Sequence, residues 1–411
     1  MNRASGLLAV AMVVLGGITG TLGLAVAGLL VGLTTLLTVL WSRYGLRRLR
    51  YERHLARDRA VWGDEVRLDV TVWNDKPIPL AWLAVDDYVT DGASVAGSAL
   101  SPSDRPGLQV LHHVWTIGWF ERVVRHLTVL ADRRGTYEFG PVRMTVADLF
   151  GQGTAREEHT DQQSYVVRPR SVPVRVVGAD QRALGSLVAR HSLFEDPALF
   201  AGVRPYQPGD PQRRIHWRAT ARIGVPVSKR FDPSRARDVL IALDVQTIAG
   251  PHWALHFDED LLESLIVAAL SLARKGIADG AAVGLAAAGY TRSIERQVFL
   301  LPRGGEDQLA QIADFLGRLS QTPSAPFERL LGLLPARLAP GTTVQVVSGR
   351  DPSPYAAVLS RLDVAGYPVD YVAMGGAAGE AIRRVRSLGL VARHASLTPD
   401  WQTSDSLVIA G

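Results

Sequence analysis

The 411-residue chain contains no cysteine, which excludes disulfides, thiolate metal sites and cysteine nucleophiles. Lysine is scarce: Lys76, Lys229 and Lys275 are the only lysines, so the net charge of +5 rests on arginine. Such a skew is more typical of a GC-rich genome than of a nucleic-acid partner, although arginine suits bidentate contacts with carboxylate or phosphate. We therefore do not expect nucleic acid as a partner.

A long stretch without charged residues lies near the N-terminus. Residues 4–42 contain no charged side chain, whereas one helix needs only about 20 apolar residues to cross a bilayer. The small residues of 16–20 interrupt this run, so the sequence predicts a transmembrane hairpin in residues 1–43, with helices at about 4–19 and 22–41.

The orientation of this hairpin is predicted from its flanking arginines, because cytoplasmic loops carry an excess of basic residues. Arg3 lies at one end of the run, and the other end is followed by a cluster of Arg43, Arg47, Arg48, Arg50 and Arg53. We expect a plasma-membrane protein with most of its chain in the cytoplasm. The alternative is a secretory signal cleaved near residues 25–27, but the second apolar run and the arginine cluster that follow favour an anchor.

Short strands dominate the next region, residues 60–170. Val66, Leu68, Val70 and Val72 alternate with polar residues, as in a half-buried strand, and further short apolar runs are separated by turn-forming residues. This pattern predicts a β-sandwich-like domain. The stretches 165–170 and 173–177 are interpreted as an extended linker, and 148–151 as the end of the β-rich unit.

A basic motif occupies a predicted segment at residues 180–237. Pro208, Gly209 and Asp210 are typical of a turn, and Asp210 followed by Pro211 predicts the start of a helix that continues to about Arg222. His216 within this stretch is expected to have a structural role. The positions to which we assign a partner-binding or structural role are Arg204, Tyr206, Gly209, Asp210, Arg214, Trp217, Arg222 and Lys229.

This motif resembles the bacterial and archaeal domain of unknown function 58, and residues 133–141 and 148–151 are similar to a second feature of that family. The resemblance implies paired N-terminal membrane helices, a β-rich segment and a von Willebrand factor A-like region. Because genes of the family commonly lie beside those of MoxR-type AAA+ ATPases, it also implies an ATPase of this type as partner. Two interpretations of the arginines remain open: an anion-receiving partner surface, or internal ion pairs that lock the segment.

Residues 238–411 alternate strand-like and helical patterns. Residues 239–243 form a continuous apolar run, and residues 262–272 follow a helical period after the acidic 258–260. This alternation predicts an α/β doubly wound sheet. The predicted fold class is therefore α+β multidomain, with a transmembrane hairpin, a β-sandwich-like domain and a von Willebrand A-like α/β domain.

A metal site is predicted at the carboxyl ends of these strands, where ligands collect in such sheets. Asp244 begins the sequence Asp-Val-Gln-Thr-Ile, in which both serines of the usual Asp-x-Ser-x-Ser cation motif are missing. Ser348 and Asp351 follow a later strand and retain oxygen ligands that suit Mg²⁺. A platform that needs no cofactor is the preferred interpretation.

Strong catalytic signatures are lacking: the chain has no phosphate-binding P-loop, no zinc-protease motif and no hydrolase nucleophile elbow. The sequence therefore favours a non-enzymatic, membrane-anchored scaffold that faces the cytoplasm and binds an AAA+ ATPase. The alternative is an adhesion-type module that binds its ligand through a divalent cation at Asp244.

Overall fold

The computed structural model describes residues 2–147, 154–177, 195–207, 215–233, 238–248, 250, 257–291 and 298–411. The chain divides into two compact units, residues 1–168 and 169–411. The predicted end of the β-rich region at 148–151 lies outside the described residues, as does much of the predicted segment 180–237.

Two apolar helices open the chain, α1 (Asn2–Thr19) and α2 (Leu22–Tyr44), as predicted. Small residues let them pack closely: a Cβ on Gly16 would lie 2.6 Å from the Ala25 nitrogen, and one on Gly28 would lie 2.9 Å from the Ala9 carbonyl oxygen. Within α2, the 20 residues from Leu22 to Trp41 are long and apolar enough to cross a membrane.

The rest of the first unit consists of strands in two sheets. One sheet has the order β1-β3-β8-β5, and the other β2-β11-β9-β4-β7-β6, with β10 paired to β9. The strands are β1 (Leu49–Leu55), β2 (Arg59–Val61), β3 (Glu65–Asn74), β4 (Leu80–Thr90), β5 (Ser94–Val95), β6 (Ser101–Pro102), β7 (Leu108–Ile117), β8 (Arg122–Leu130), β9 (Gly135–Ala147), β10 (Thr154–His159) and β11 (Gln163–Arg168).

Both sheets contribute to one apolar core, which explains the alternation in β3. Leu68 and Val70 point into this core from the first sheet, while Leu83 and Phe139 do so from the second. All four side chains are fully buried. Burying alternate residues of each strand is what lets one face of a sheet remain polar and solvated.

Arg53, the last arginine of the predicted membrane-flanking cluster, is not exposed at the membrane side but buried in the first unit. Its side chain is fully buried, and Nη1 donates to Asp87 Oδ1 at 2.6 Å while Nη2 donates to the Asp161 carbonyl at 2.6 Å. Arg53 is buried because β1 begins at Leu49 and carries this residue into the sheet. Gly140, in the second family-like stretch, has φ 108°, and a Cβ there would lie 2.1 Å from the same Asp161 carbonyl.

The second unit contains a two-stranded ribbon, a short pair and one large sheet. Its strands are β12 (Val174–Val177), β13 (Glu195–Pro205), β14 (Val227–Pro233), β15 (Asp238–Leu243), β16 (Ala282–Ala287), β17 (Gly289–Thr291), β18 (Val298–Arg303), β19 (Leu319–Pro323), β20 (Thr343–Ser348), β21 (Val369–Ala373), β22 (Val391–Leu397) and β23 (Leu407–Ala410). Its helices are α3 (Trp217–Ile223), α4 (Glu259–Ala278), α5 (Glu306–Arg318), α6 (Phe327–Leu333), α7 (Ala356–Val364) and α8 (Ala378–Ser387), with a 3₁₀ turn at Leu334–Ala336.

The large sheet has the order β12-β23-β22-β21-β20-β15-β16-β18. The five strands from β22 to β16 run parallel, whereas β18 is antiparallel to β16 and β23 is antiparallel to β22. Apolar clusters cover both faces: Ile241 and Leu243 belong to the cluster formed with α4 and α5, and Leu240 and Ala242 to the cluster formed with α6, α7 and α8.

The predicted linker is wrong at both of its stretches. The first, residues 165–170, begins inside β11, which pairs with β2 and β9. The second contains β12, which forms a parallel edge strand with β23. Local sequence gave no signal for this pairing because Val174 and its partner Leu407 are far apart in the chain.

Candidate functional site

The basic motif is built around the β13–β14 ribbon. Arg204 pairs with Ser228 in this ribbon, and the Tyr206 N–H donates to the Pro226 carbonyl at 3.0 Å. Ser228 and Val227 are buried, so this end of the ribbon is anchored. Arg204 and Tyr206 are half-buried, as is Lys229 in β14.

α3 is tied to this ribbon at its start. The His216 N–H donates to the Val227 carbonyl at 2.9 Å, and His216 Nδ1 accepts from the Ala219 N–H at 3.1 Å, which caps the helix. Thr220 Oγ1 accepts from the Val227 N–H at 3.1 Å. Gly224, at φ 80°, ends the helix in the left-handed conformation that glycine favours. His216 is therefore structural, as expected.

The helix begins later than predicted. Ile215 forms a β-bridge with Ser228, and His216 is held outside the helix by its bond to Val227, so the first helical residue is Trp217. The start predicted at Asp210 was wrong for this helix, because the two residues before Trp217 pair with a strand. Gly209, Asp210 and Arg214 lie outside the described residues.

The outer side of α3 is mostly exposed to solvent. None of the helix residues is buried, and Trp217 is 67% exposed. Ile223 and Val225 are each 56% exposed. Arg218 and Arg222, one turn apart, are exposed and make no ion pair with any residue that the structure describes. We call Trp217, Arg218, Arg222, Ile223 and Val225 the motif surface.

An exposed tryptophan beside two guanidinium groups that form no ion pair with the described residues has a clear chemical use. Tryptophan and arginine are the residues that most often dominate the binding energy of protein interfaces. Guanidinium groups bind carboxylates in a bidentate way, and the apolar side chains supply area that is removed from water on binding. The motif surface therefore suits a protein partner with an acidic rim around an apolar patch.

Asp244 lies at the carboxyl end of β15 in a cluster of a different kind. Its side chain is 1% exposed, and Oδ2 accepts from Ser348 Oγ at 3.0 Å and from Arg350 Nε at 2.8 Å. Oδ1 accepts from the Gln246 N–H at 3.2 Å. Burial raises the pKa of the Asp244 carboxyl, and the Arg350 guanidinium opposes this rise. Asp244 and Ser348 thus meet as predicted, but an arginine, unnoticed in the sequence, shares their site.

Two tyrosines complete this Asp244 cluster. Tyr355 OH donates to Ser348 Oγ at 3.0 Å and lies 3.1 Å from Tyr371 OH, which donates to the Arg350 carbonyl at 3.2 Å. Both rings are fully buried. Burial raises the pKa of Tyr371 to about 12, so its hydroxyl stays protonated at neutral pH. The cluster is a connected network of buried groups, in which Arg350 Nη2 has no hydrogen-bond partner among the described residues.

The loops beside the Asp244 cluster are tightly packed. A Cβ on Gly349 would lie 2.7 Å from the Leu261 side chain, and one on Gly375 would lie 2.8 Å from it. Asp351 does not join Asp244: its carboxylate accepts from Arg384 Nη1 at 2.8 and 3.0 Å and from Ser353 Oγ at 2.7 Å. A guanidinium 2.8 Å from Asp244 supplies the positive charge that a cation would otherwise bring.

The comparisons with known proteins give one matching family model and one curated relative. A family model described as "Protein of unknown function DUF58" matches residues 202–327, which contain the motif surface and strands β15, β16 and β18 of the large sheet. The chain is also similar to "Uncharacterized protein YeaD" of Bacillus subtilis (strain 168), with 26% identity over 267 residues. This match covers 62% of the chain and 60% of the relative's length.

Solved structures give only remote likenesses. The CARDB domain of the PF1109 protein from Pyrococcus furiosus covers 30% of this chain and 87% of its own, with 16% identity and a TM-score of 0.20. A cohesin module from Clostridium perfringens covers 29% of this chain and 98% of its own, with 9% identity and a TM-score of 0.21. Scores this low indicate neither a shared fold nor a shared function.

Proposed function

We propose that this protein is a membrane-anchored, non-enzymatic scaffold that binds a cytoplasmic protein partner through its motif surface. The observation that carries the proposal is Trp217, which is 67% exposed on a helix without a buried residue. Burying an exposed tryptophan against a partner gains the free energy of removing its large apolar area from water.

The proposed partner is a MoxR-type AAA+ ATPase with an acidic docking face. The similarity of residues 202–327 to the DUF58 family supports this choice, because the family resemblance implies genes that lie beside those of such ATPases. The charge of the motif surface supports the acidic face: Arg218 and Arg222 present two guanidinium groups beside Trp217, with no ion pair to described residues.

The proposed orientation places the hairpin of α1 and α2 in the plasma membrane and the rest of the chain in the cytoplasm. Exposed apolar side chains along both helices support the membrane, since they would otherwise face water. The exposed Arg43, Arg47 and Arg48 at the end of α2 support the cytoplasmic side.

For the folded regions we propose a β-sandwich-like domain and a doubly wound, von Willebrand A-like domain. The shared core of the two sheets supports the first. Parallel strands with apolar clusters on both faces, and Asp244 at a carboxyl end, support the second. The alternative function, cation-dependent ligand binding at Asp244, has less support because Arg350 already neutralises that carboxylate.

The partner proposal is tested by crosslinking and co-purification of the full-length protein from its native membranes. The double variant Trp217→Ala/Arg222→Ala should lower ATPase recovery at least about tenfold, since each interface hot spot contributes about 2 kcal/mol or more. The matched control is Arg361→Ala/Val364→Ala, which removes an exposed arginine and an exposed valine from α7. Equal recovery from both variants would exclude the motif surface as the contact.

A further inference from the structure

The turn between β7 and β8 carries two neighbouring aromatic side chains that face solvent. Trp119 is 70% exposed and Phe120 is 68% exposed. Phe120 also has φ 51°, in the left-handed region where glycine or asparagine is the favoured residue. A bulky apolar residue at this position does not stabilise the fold, because its side chain stays exposed and its backbone conformation is strained. This points to a role in binding rather than in folding.

Hydrogen bonds fix this turn to the loop between β3 and β4. Asn74 is fully buried, and its Nδ2 donates to the Gly118 carbonyl at 2.6 Å and to the Ile78 carbonyl at 2.9 Å. The Phe120 N–H donates to the Lys76 carbonyl at 3.2 Å. The two loops therefore form one rigid edge of the first unit.

The same edge touches the end of the apolar helix α2. Trp41 Nε1 donates to the Pro79 carbonyl at 2.9 Å, and Pro79 belongs to the loop that holds the aromatic turn. The Asp75 N–H in this loop donates to the Arg48 carbonyl at 3.0 Å. Trp119 and Phe120 thus lie on the edge from which α2 emerges.

Charges on this edge are mostly basic. Arg47 is exposed, with its guanidinium 5.1 Å from the Tyr44 ring, and Arg122 lies 5.0 Å from the Trp73 ring. The acids beside them have partners: Asp75 accepts from Arg50, and Glu121 accepts from the Gly118 N–H. Aromatic side chains with arginines are what the interface of an anionic bilayer attracts.

We propose that Trp119 and Phe120 insert into the lipid headgroup region beside α2 and form a second membrane attachment of the first unit. This inference rests on the proposed membrane anchor. A helix alone leaves the attached domain free to swivel, whereas a second contact on the same edge fixes its orientation to the bilayer. The continuity of the turn with the helix exit favours lipid over a second protein chain as the occupant.

The absence of native cysteine permits a direct test, because one introduced cysteine carries the only label. Full-length Phe120→Cys and, separately, Trp119→Cys are labelled with an environment-sensitive fluorophore. Each is reconstituted in vesicles of phosphatidylcholine and phosphatidylglycerol, with or without spin-labelled lipids whose quencher lies near the headgroups. We expect blue-shifted emission and strong quenching by these lipids for both labels.

Two further labels separate the possible outcomes. Leu29→Cys, on the exposed side of α2, reports the anchor itself when the spin label is carried on the lipid acyl chains, because Leu29 lies well inside the proposed membrane span. Ala99→Cys is exposed at the opposite end of β7, near β6, and is expected to stay unquenched. If Leu29 is quenched while residues 119 and 120 behave like Ala99, the second attachment is refuted and the anchor stands. If the label at Leu29 is not quenched, both the anchor and the second attachment are refuted. If the labels at 119 and 120 show blue-shifted emission without quenching by the lipids, the second attachment is refuted and the turn contacts protein instead.

Discussion

The Asp244 cluster and the motif surface use the same residue types in opposite ways. Arg350 is 5% exposed and binds Asp244, which is itself 1% exposed. On the motif surface, Arg218 and Arg222 face solvent without an ion pair to the described residues, beside a tryptophan that is two-thirds exposed. The first set of charges is paired within the chain, whereas the second faces solvent, where a partner could bind it.

This difference decides which region we assign to function. A buried ion pair is costly to break, because the remaining charge loses both water and partner, so its residues serve the fold. An exposed tryptophan and exposed arginines contribute little to folding, so their presence is better explained by binding. Three changes test this division, from the largest expected effect on stability to the smallest.

Arg350→Ala should have the largest effect. It leaves the Asp244 carboxylate buried without its guanidinium, and breaking such a pair typically costs about 3–5 kcal/mol. Thermal unfolding in detergent, with hydrogen exchange of β15 and β20, measures the loss. The control Arg384→Ala breaks the pair with Asp351, in which both side chains are 40% exposed, and should cost at most about 1 kcal/mol. Equal losses would contradict the structural role of the Asp244 cluster.

Lys76 sharpens the comparison, because it is buried yet unpaired. It is 4% exposed, and its Nζ has no hydrogen-bond partner among the described residues. Burial lowers its pKa from 10.5 to about 8, although Asp75 opposes the shift. Below pH 8 the folded protein must carry this disfavoured charge, and the cost disappears as the pH rises from 8 to 10.5.

Lys76→Met should therefore stabilise the protein at pH 7 by about 1–2 kcal/mol, since each unit of pKa shift corresponds to about 1.4 kcal/mol and local relaxation reduces the total. The gain should vanish near pH 10.5, as measured by thermal unfolding across this range. Lys275→Met is the control, because Lys275 forms an exposed pair with Asp279 and should give no such gain. A gain that is constant with pH would refute the role of the charge.

Local patterns in the sequence predicted much of the secondary structure for physical reasons. α4 was foreseen because Asp258 caps it and its buried residues recur at helical spacing. β3 was foreseen because it buries one face only. Long-range pairings were not foreseeable: β12 joins β23, and Arg350 reaches an aspartate 106 residues away. Nothing in the sequence Gly-Arg-Asp after β20 indicates which of its two charged side chains turns inward.

For the candidate site, the sequence indicates residue types, whereas the structure shows their exposure and the start of the helix. The sequence points to Trp217 and Arg222 because the motif is rich in basic residues around one tryptophan. The structure adds that both side chains are exposed and can therefore contact a partner. The predicted helix begins too early, because Asp-Pro is a strong local signal for a helix start. In the structure, pairing with the ribbon keeps Ile215 and His216 out of the helix. A tertiary contact overrode a local preference.

Trp217→Ala should have the smallest effect on stability. Because two-thirds of the side chain is already exposed, its removal should change the free energy of unfolding by no more than about 0.5 kcal/mol. The neighbouring His216→Ala removes the helix cap and should cost about 1 kcal/mol, with faster hydrogen exchange across residues 217–223. If Trp217→Ala is instead the costlier change, Trp217 is part of the fold and the motif surface loses its main binding residue.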